Sequence, residues 1–160
     1  GKIEIFSKRL YDMHHPEIPA LSHYVPAHEG PEDELAKTFP LQLITWKGKN
    51  RANSTQYANP WLIEAQQQKL WINPQDAQKR GIAQGDTVRI HNARGICEIP
   101  AEVTPRIIPG VVAMQAGAWW QPDAQGIDKG GCANVLSSAR ITALAKGNSH
   151  QTMLVEVAKA

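Results

Sequence analysis

From Phe39 onward the chain alternates short apolar runs with turn-forming residues, a rhythm of strands more than of helices. Leu41-Gln42-Leu43-Ile44-Thr45-Trp46 enters from Pro40 and reads as a strand, because β-branched and aromatic residues suit a pleated, half-buried surface. A polar segment follows from Lys47 to Tyr57. Asn59 then caps a short helix that has Pro60 in its first position, where the missing N–H costs nothing. The segment Ile72 to Gly81 predicts a two-turn helix with Asn73 as N-cap and Pro74 first inside. Asp76 sits near the positive end of its dipole, Lys79 and Arg80 lie near the negative end, and Gly81 supplies a left-handed stop.

Asp86 to His91 alternates, with Val88 and Ile90 on one face, and Asn92-Ala93-Arg94-Gly95 turns the chain tightly. The returning strand places Cys97, Ile99, Ala101 and Val103 on one face and Glu98 and Glu102 on the other, which makes Cys97 a small core hydrophobe. Val111-Val112-Ala113-Met114 is continuous and predicts a strand buried on both faces. A Gly-rich loop passes through Gly130-Gly131, and Met153-Leu154-Val155-Glu156-Val157 forms a final strand. The expectation is a mainly β fold with short helices, closed into a small barrel.

The region before the barrel differs, residues 7–40 most of all. Gly1-Lys2-Ile3-Glu4-Ile5 alternates like a strand already under way, which suggests a piece excised from a longer polypeptide. Pro16, Pro19, Pro26, Pro31 and Pro40, with the acidic run Glu32-Asp33-Glu34, favour an extended path over a continuous helix. We therefore divide the chain into a largely unstructured lead-in arm, 1–38, and a barrel, 39–160. The spacing of His14, His15, His23 and His28 fits no metal-ligand pattern, so they read as solvated linker histidines.

Composition narrows the function classes. Among 160 residues the net charge is +2 and the cations are scattered, so a nucleic-acid surface is not expected. Cys97 and Cys132 are too few and too far apart for a zinc site or a disulfide framework. No apolar run approaches the roughly 20 residues of a membrane span, so the fragment itself is expected to be soluble.

Three segments carry candidate chemistry. Thr45 to Thr55 holds three cations, Gly48 for close backbone approach, and small amide and hydroxyl donors, an inventory suited to a pyrophosphate or a polar heterocycle. It has no phosphate-loop or dinucleotide glycine signature, and a hydrophilic surface loop accounts for the same composition. Gln115-Ala116-Gly117-Ala118-Trp119-Trp120 can line a flat ligand, or Trp119 and Trp120 can cover the end of a barrel. In Gly126 to Ser138, Asn134 can face a ligand or cap local backbone. Cys132 has no neighbouring histidine to activate it as a nucleophile. No serine–histidine–acid set, metal quartet or paired-carboxylate site is visible, so the chain is expected to bind and not to catalyse alone.

Three segments, Trp46 to Leu62, Trp71 to Trp120 and Asp128 to Val157, together resemble the C-terminal domain of the dimethyl sulfoxide reductase family of molybdenum enzymes, with a pattern nearest to its anaerobic catalytic subunits. The most specific wording is Trp71 to Ile82 with Gly85-Asp86-Thr87-Val88. Val103-Thr104-Pro105-Arg106, Pro109-Gly110-Val111-Val112 and Asp128 to Leu136 add to it, and Gly1 to Ile5 matches the family's lead-in. The resemblance implies a double-psi β-barrel closing over bis-molybdopterin guanine dinucleotide with molybdenum. It also implies reduction of dimethyl sulfoxide or a related S- or N-oxide by oxygen-atom transfer. The metal ligand, an iron–sulfur cluster and a twin-arginine signal are implied upstream of Gly1. Implied partners are the upstream domains of the same subunit, an iron–sulfur electron-transfer subunit and a membrane anchor, on the periplasmic side of the bacterial inner membrane.

Carried over by position, Trp46, Lys47, Gly48, Asn50, Arg51, Asn53 and Ser54 run along one dinucleotide, with Lys47 and Arg51 as charged contacts. Asn53 stands where many members carry histidine. Gln115, Gly117 and Asn134 occupy further matching positions, as does Gln151 within His150-Gln151-Thr152. All of these are orienting roles, because the redox chemistry belongs to the cofactor. A competing reading is a stand-alone double-psi barrel that serves as a protein-interaction module, with the proline-rich arm as a docking peptide.

Overall fold

A computed structural model describes residues 1–149 and 151–160. Its centre is a closed barrel of β1 (Leu41–Trp46), β2 (Leu70–Ile72), β3 (Thr87–His91), β4 (Ile96–Val103), β5 (Val111–Gln115) and β6 (Met153–Lys159), hydrogen-bonded in the order β1-β5-β2-β4-β3-β6. Two pairs are parallel, β1 with β5 and β2 with β4, and the remaining pairs are antiparallel. The expected mainly β, double-psi type of barrel with short helices is therefore what the chain forms. Leu41, Leu43, Leu70, Ile72, Val88, Ile90, Cys97, Met114 and Val155 fill its interior.

The local grammar of the barrel region holds. The Asn59 side chain accepts from Trp61 N at 3.1 Å to open α2 (Pro60–Ala65). Asn73 accepts from Gln75 N at 2.9 Å to open α3 (Pro74–Lys79), and Gly81 ends that helix at φ +64. Asp76 does more than favour the dipole: it is buried, and its Oδ2 accepts from Gly110 N at 2.6 Å. The sequence pattern did not announce β2, since three residues are too few to display a period of two. Glu98, expected on an outer face, is buried between Arg89 and Lys129. Those two cations, Lys129 foremost, hold its carboxyl below the ordinary range.

The lead-in contains α1 (Lys8–Asp12) and a 3-10 turn at Glu34–Lys37. The alternation at residues 1–5 forms no strand, and Ile3 and Ile5 are exposed, because no partner edge among the described residues reaches them. One arm residue is tied firmly to the barrel. Glu29 is only 1% exposed and receives a two-pronged contact from Arg94 Nη1 at 2.7 Å and Nη2 at 2.8 Å. Leu154 N of β6 donates to the same carboxylate at 3.1 Å, while Arg94 also donates to Leu136 O. A buried ion pair contributes little net stability when whole, but removing one partner strands the other charge. Arg94→Ala is therefore expected to lower the unfolding free energy in urea titration by about 3 kcal/mol. Lys8→Ala, which removes the solvent-exposed pair with Asp12, leaves the midpoint unchanged.

Candidate functional site

Parallel pairing places the ends of β1 and β5 side by side, with Trp46 opposite Gln115 and Ala116 N donating to Trp46 O at 2.8 Å. The chain leaves both strands in the same direction, so the segment 47–57 and the segment 116–120 meet above the barrel rim. Two glycines permit the contact. A Cβ on Gly48 would come within 1.3 Å of Gln115 Nε2, and one on Gly117, at φ +89, within 1.8 Å of Asn53 O. Trp119 Nε1 adds a hydrogen bond to Ser54 O at 2.9 Å.

Beneath this junction lies a polar network. Gln115 is 1% exposed and its Nε2 donates to Asn50 Oδ1 at 2.9 Å, while Asn50 Nδ2 reaches back to Leu62 O of α2 at 2.7 Å. Arg51 lies over the ring of Tyr57, 5.1 Å from its centroid, and donates through Nη2 to Gln68 Oε1 at 2.7 Å. Its Nε and Nη1 are buried without a partner among the described residues, as is Gln115 Oε1. Burial holds the Arg51 guanidinium below its ordinary value and pushes the Tyr57 hydroxyl above its own. Lys47 donates to Asn53 Oδ1 along the outer side of the same loop.

A neighbouring cavity of about 120 Å³ is lined by Thr45, Ser54, Gly117, Cys132, Asn134 and Met153, among others. Gln151 grips its rim: Oε1 accepts from Thr45 N at 2.8 Å and Nε2 donates to Thr45 Oγ1 at 2.8 Å. The structure thus gathers Ser54, Gly117 and Asn134 at one cavity, with Gln151 at its edge. Gly48, Asn50, Arg51 and Gln115 form the adjoining network. His150 lies outside the described residues.

Trp46 is placed apart from them. Its ring packs on Trp71 at 4.9 Å, Arg106 covers Trp71 at 4.6 Å, and these residues line a separate cleft with Glu64, Lys69 and Glu102. The reason is the pleat: Leu41, Leu43 and Thr45 share one side of β1, and Trp46 falls on the other.

Three residues of the site were not singled out as binding candidates. Gln68 Nε2 donates to Gln115 O at 2.8 Å and to Gly131 O at 3.0 Å, while its Oε1 takes the Arg51 bond. Tyr57 donates to Gly130 O at 2.9 Å. Asp128, fully buried, accepts from Gln121 N, Gly130 N and Cys132 N and so moulds the glycine loop. The Asp-x-Gly-Gly spacing signals such a turn, whereas Gln66-Gln67-Gln68 gives no sign of which amide turns inward. Neither cysteine is primed as a nucleophile. Burial and then Asp128 push the Cys97 thiol far above its usual value, and burial raises that of Cys132.

The model of the Molydopterin dinucleotide binding domain family matches residues 41–154, most of the barrel and all of the loops above. The chain belongs to this family. Residues 41–154 of this dinucleotide-binding domain contain every candidate residue named here. The domain is 51% identical to dimethyl sulfoxide reductase DmsA of Escherichia coli (strain K12), over 99% of this chain and 20% of that protein. It is 34% identical to the dimethyl sulfoxide/trimethylamine N-oxide reductase of Cereibacter sphaeroides, over 99% of this chain and 20% of that one. The chain thus spans about a fifth of the length of these curated relatives. Acetylene hydratase from Pelobacter acetylenicus shares the fold, with a TM-score of 0.75 at 16% identity, over 99% of this chain and 23% of that one.

The donor set fits a dinucleotide. A buried polar atom without a partner is costly unless a ligand meets it, and Arg51 Nε, Arg51 Nη1 and Gln115 Oε1 are three such atoms close to two glycine approaches. Gly117→Ala is expected to lower stability by about 2 kcal/mol, because a left-handed backbone and the Asn53 carbonyl both oppose a Cβ. Gly48→Ala should cost less, since the Gln115 amide can turn aside. Thermal denaturation of the two variants gives the order.

Proposed function

We propose that this domain holds bis-molybdopterin guanine dinucleotide in a molybdenum oxidoreductase that reduces dimethyl sulfoxide or a related S- or N-oxide by oxygen-atom transfer. The observation that carries the reading is the pair of buried Arg51 nitrogens without a partner among the described residues, inside a domain of the dinucleotide-binding family. Arg51 and Lys47 meet the negative charge of a pyrophosphate, for which guanidinium and ammonium donors are suited. Asn53 and Ser54 supply neutral donors beside them. Gln115 Oε1 accepts from an N–H of the ligand, and Gly48 and Gly117 let the two loops that bear these donors close on each other. Asn134 faces a heterocycle across the cavity rim, and Gln151 keeps Thr45 in place there. Trp46 serves the other side of β1, where its stack on Trp71 offers a flat apolar surface.

The bound cofactor supplies the redox chemistry at molybdenum. The protein groups named here bind it, orient it and keep water from its charged portion. No helix among the described residues is long and apolar enough to cross a membrane. We assign the metal ligand and an iron–sulfur cluster to other parts of the catalytic subunit. Electron delivery falls to an iron–sulfur subunit held by a membrane anchor, on the periplasmic side of the bacterial inner membrane. Identity of 51% to a named reductase across nearly the whole chain favours this reading over a stand-alone interaction module.

The test is the full-length catalytic subunit carrying Arg51→Ala or Asn134→Ala. Each variant should retain roughly tenfold less guanine nucleotide and molybdenum through gel filtration, as expected when a charge-assisted bond or a cofactor-orienting contact is lost. Normal content together with normal sulfoxide reduction in both variants would overturn the assignment.

A further inference from the structure

Gln68 stands where three segments of different origin meet. Its Nε2 bridges Gln115 O, at the end of β5, and Gly131 O, in the glycine loop, while its Oε1 accepts from Arg51 Nη2. The two carbonyls can only accept, so they fix the orientation of the amide, and Oε1 must then face the guanidinium. The backbone opposite is shaped for the crossing: Gly131 has φ +81, and a Cβ there would come within 2.4 Å of Gln68 Cγ. Among the described residues, Arg51 is consequently held by one hydrogen bond at Nη2 and by the Tyr57 face, with Nε and Nη1 left unpaired though buried.

We infer that Gln68 is a positioning residue for cofactor binding. It holds the Arg51 guanidinium with Nε and Nη1 free for an anionic oxygen of the dinucleotide, and it ties that guanidinium to the loop bearing Cys132 and Asn134. The inference rests on the reading that Arg51 meets the dinucleotide. Without Gln68 the Arg51 side chain loses its anchor and must be ordered by the ligand itself, which weakens binding without removing any ligand contact. The Gln115 and Gly131 carbonyls also lose a donor, but the hydrogen bonds of Gln121 with Asp128 and Lys129 still join the two loops, so the loss is felt at Arg51.

The experiment is a double-mutant cycle in the full-length holo catalytic subunit: wild type, Gln68→Ala, Arg51→Ala and the double variant. The rate of guanine-nucleotide release from folded protein at raised ionic strength is measured for each. Arg51→Ala is expected to speed release roughly 30-fold and Gln68→Ala roughly tenfold, the range seen when groups that orient a ligand-bearing residue are removed. The double variant should release no faster than Arg51→Ala, because Gln68 acts through Arg51. A merely structural role predicts multiplied effects, and that result, or wild-type release from Gln68→Ala, overturns the inference. Gln68→Met keeps the side-chain volume and takes the place of Gln68→Ala in the cycle if the alanine variant fails to fold. Wild-type release from Arg51→Ala would instead sink the underlying reading of the site, so the two failures are distinguishable.

Discussion

The parallel pairing of β1 with β5 is the constraint on which the rest of the site depends. Its register sets Trp46 opposite Gln115, and two chain segments 69 residues apart in sequence at those points (115 less 46) leave the barrel together. A parallel pair needs a long crossover, here one that contributes β2, β3 and β4 to the same barrel. Closure then makes the pairing rigid, since a barrel has no free edge along which a strand can slip. Everything polar above the rim inherits its position from that pair: Gly48 against the Gln115 amide, Gly117 against the Asn53 carbonyl, and Asn50 between Gln115 and α2.

The buried polar groups fall into two kinds, and the difference points to function. Glu29 with Arg94, Glu98 with Arg89 and Lys129, and Asp128 with its ring of backbone N–H groups are satisfied within the chain. These groups fasten the arm, the outer face of β4 and the glycine loop. At Arg51, Gln115 and Trp46, by contrast, buried nitrogens and an oxygen lack partners among the described residues, although Arg51 and Gln115 are anchored at their other atoms. A stability-driven interior would not leave such atoms unpaired. The arrangement suits a surface completed by a polar ligand.

Much of the fold was legible from residues alone because its signals are local. Asn73-Pro74 and Gly81 bracket α3, Asn59-Pro60 opens α2, and Val111 to Met114 is apolar on consecutive positions as a doubly covered strand must be. What was hidden depends on partners far away in sequence. Glu29 looks like any arm carboxylate until Arg94 and Leu154 are brought to it. Gln68 is one of three consecutive glutamines, and only the carbonyls of residues 115 and 131 single it out. The cationic loop was recognised, but composition cannot tell which side chain turns inward. Arg51 does so, Lys47 stays outside on Asn53, and strand alternation carries Trp46 to another cleft.

We propose that the unpaired atoms of Arg51 and Gln115 mark the dinucleotide. It is tested most directly by an experimental structure of the full-length, cofactor-loaded catalytic subunit. Dinucleotide oxygen atoms are expected within hydrogen-bond distance of Arg51 Nε or Nη1, and a dinucleotide N–H on Gln115 Oε1. A dinucleotide bound elsewhere on the barrel, with those three atoms meeting only protein or solvent, would contradict it.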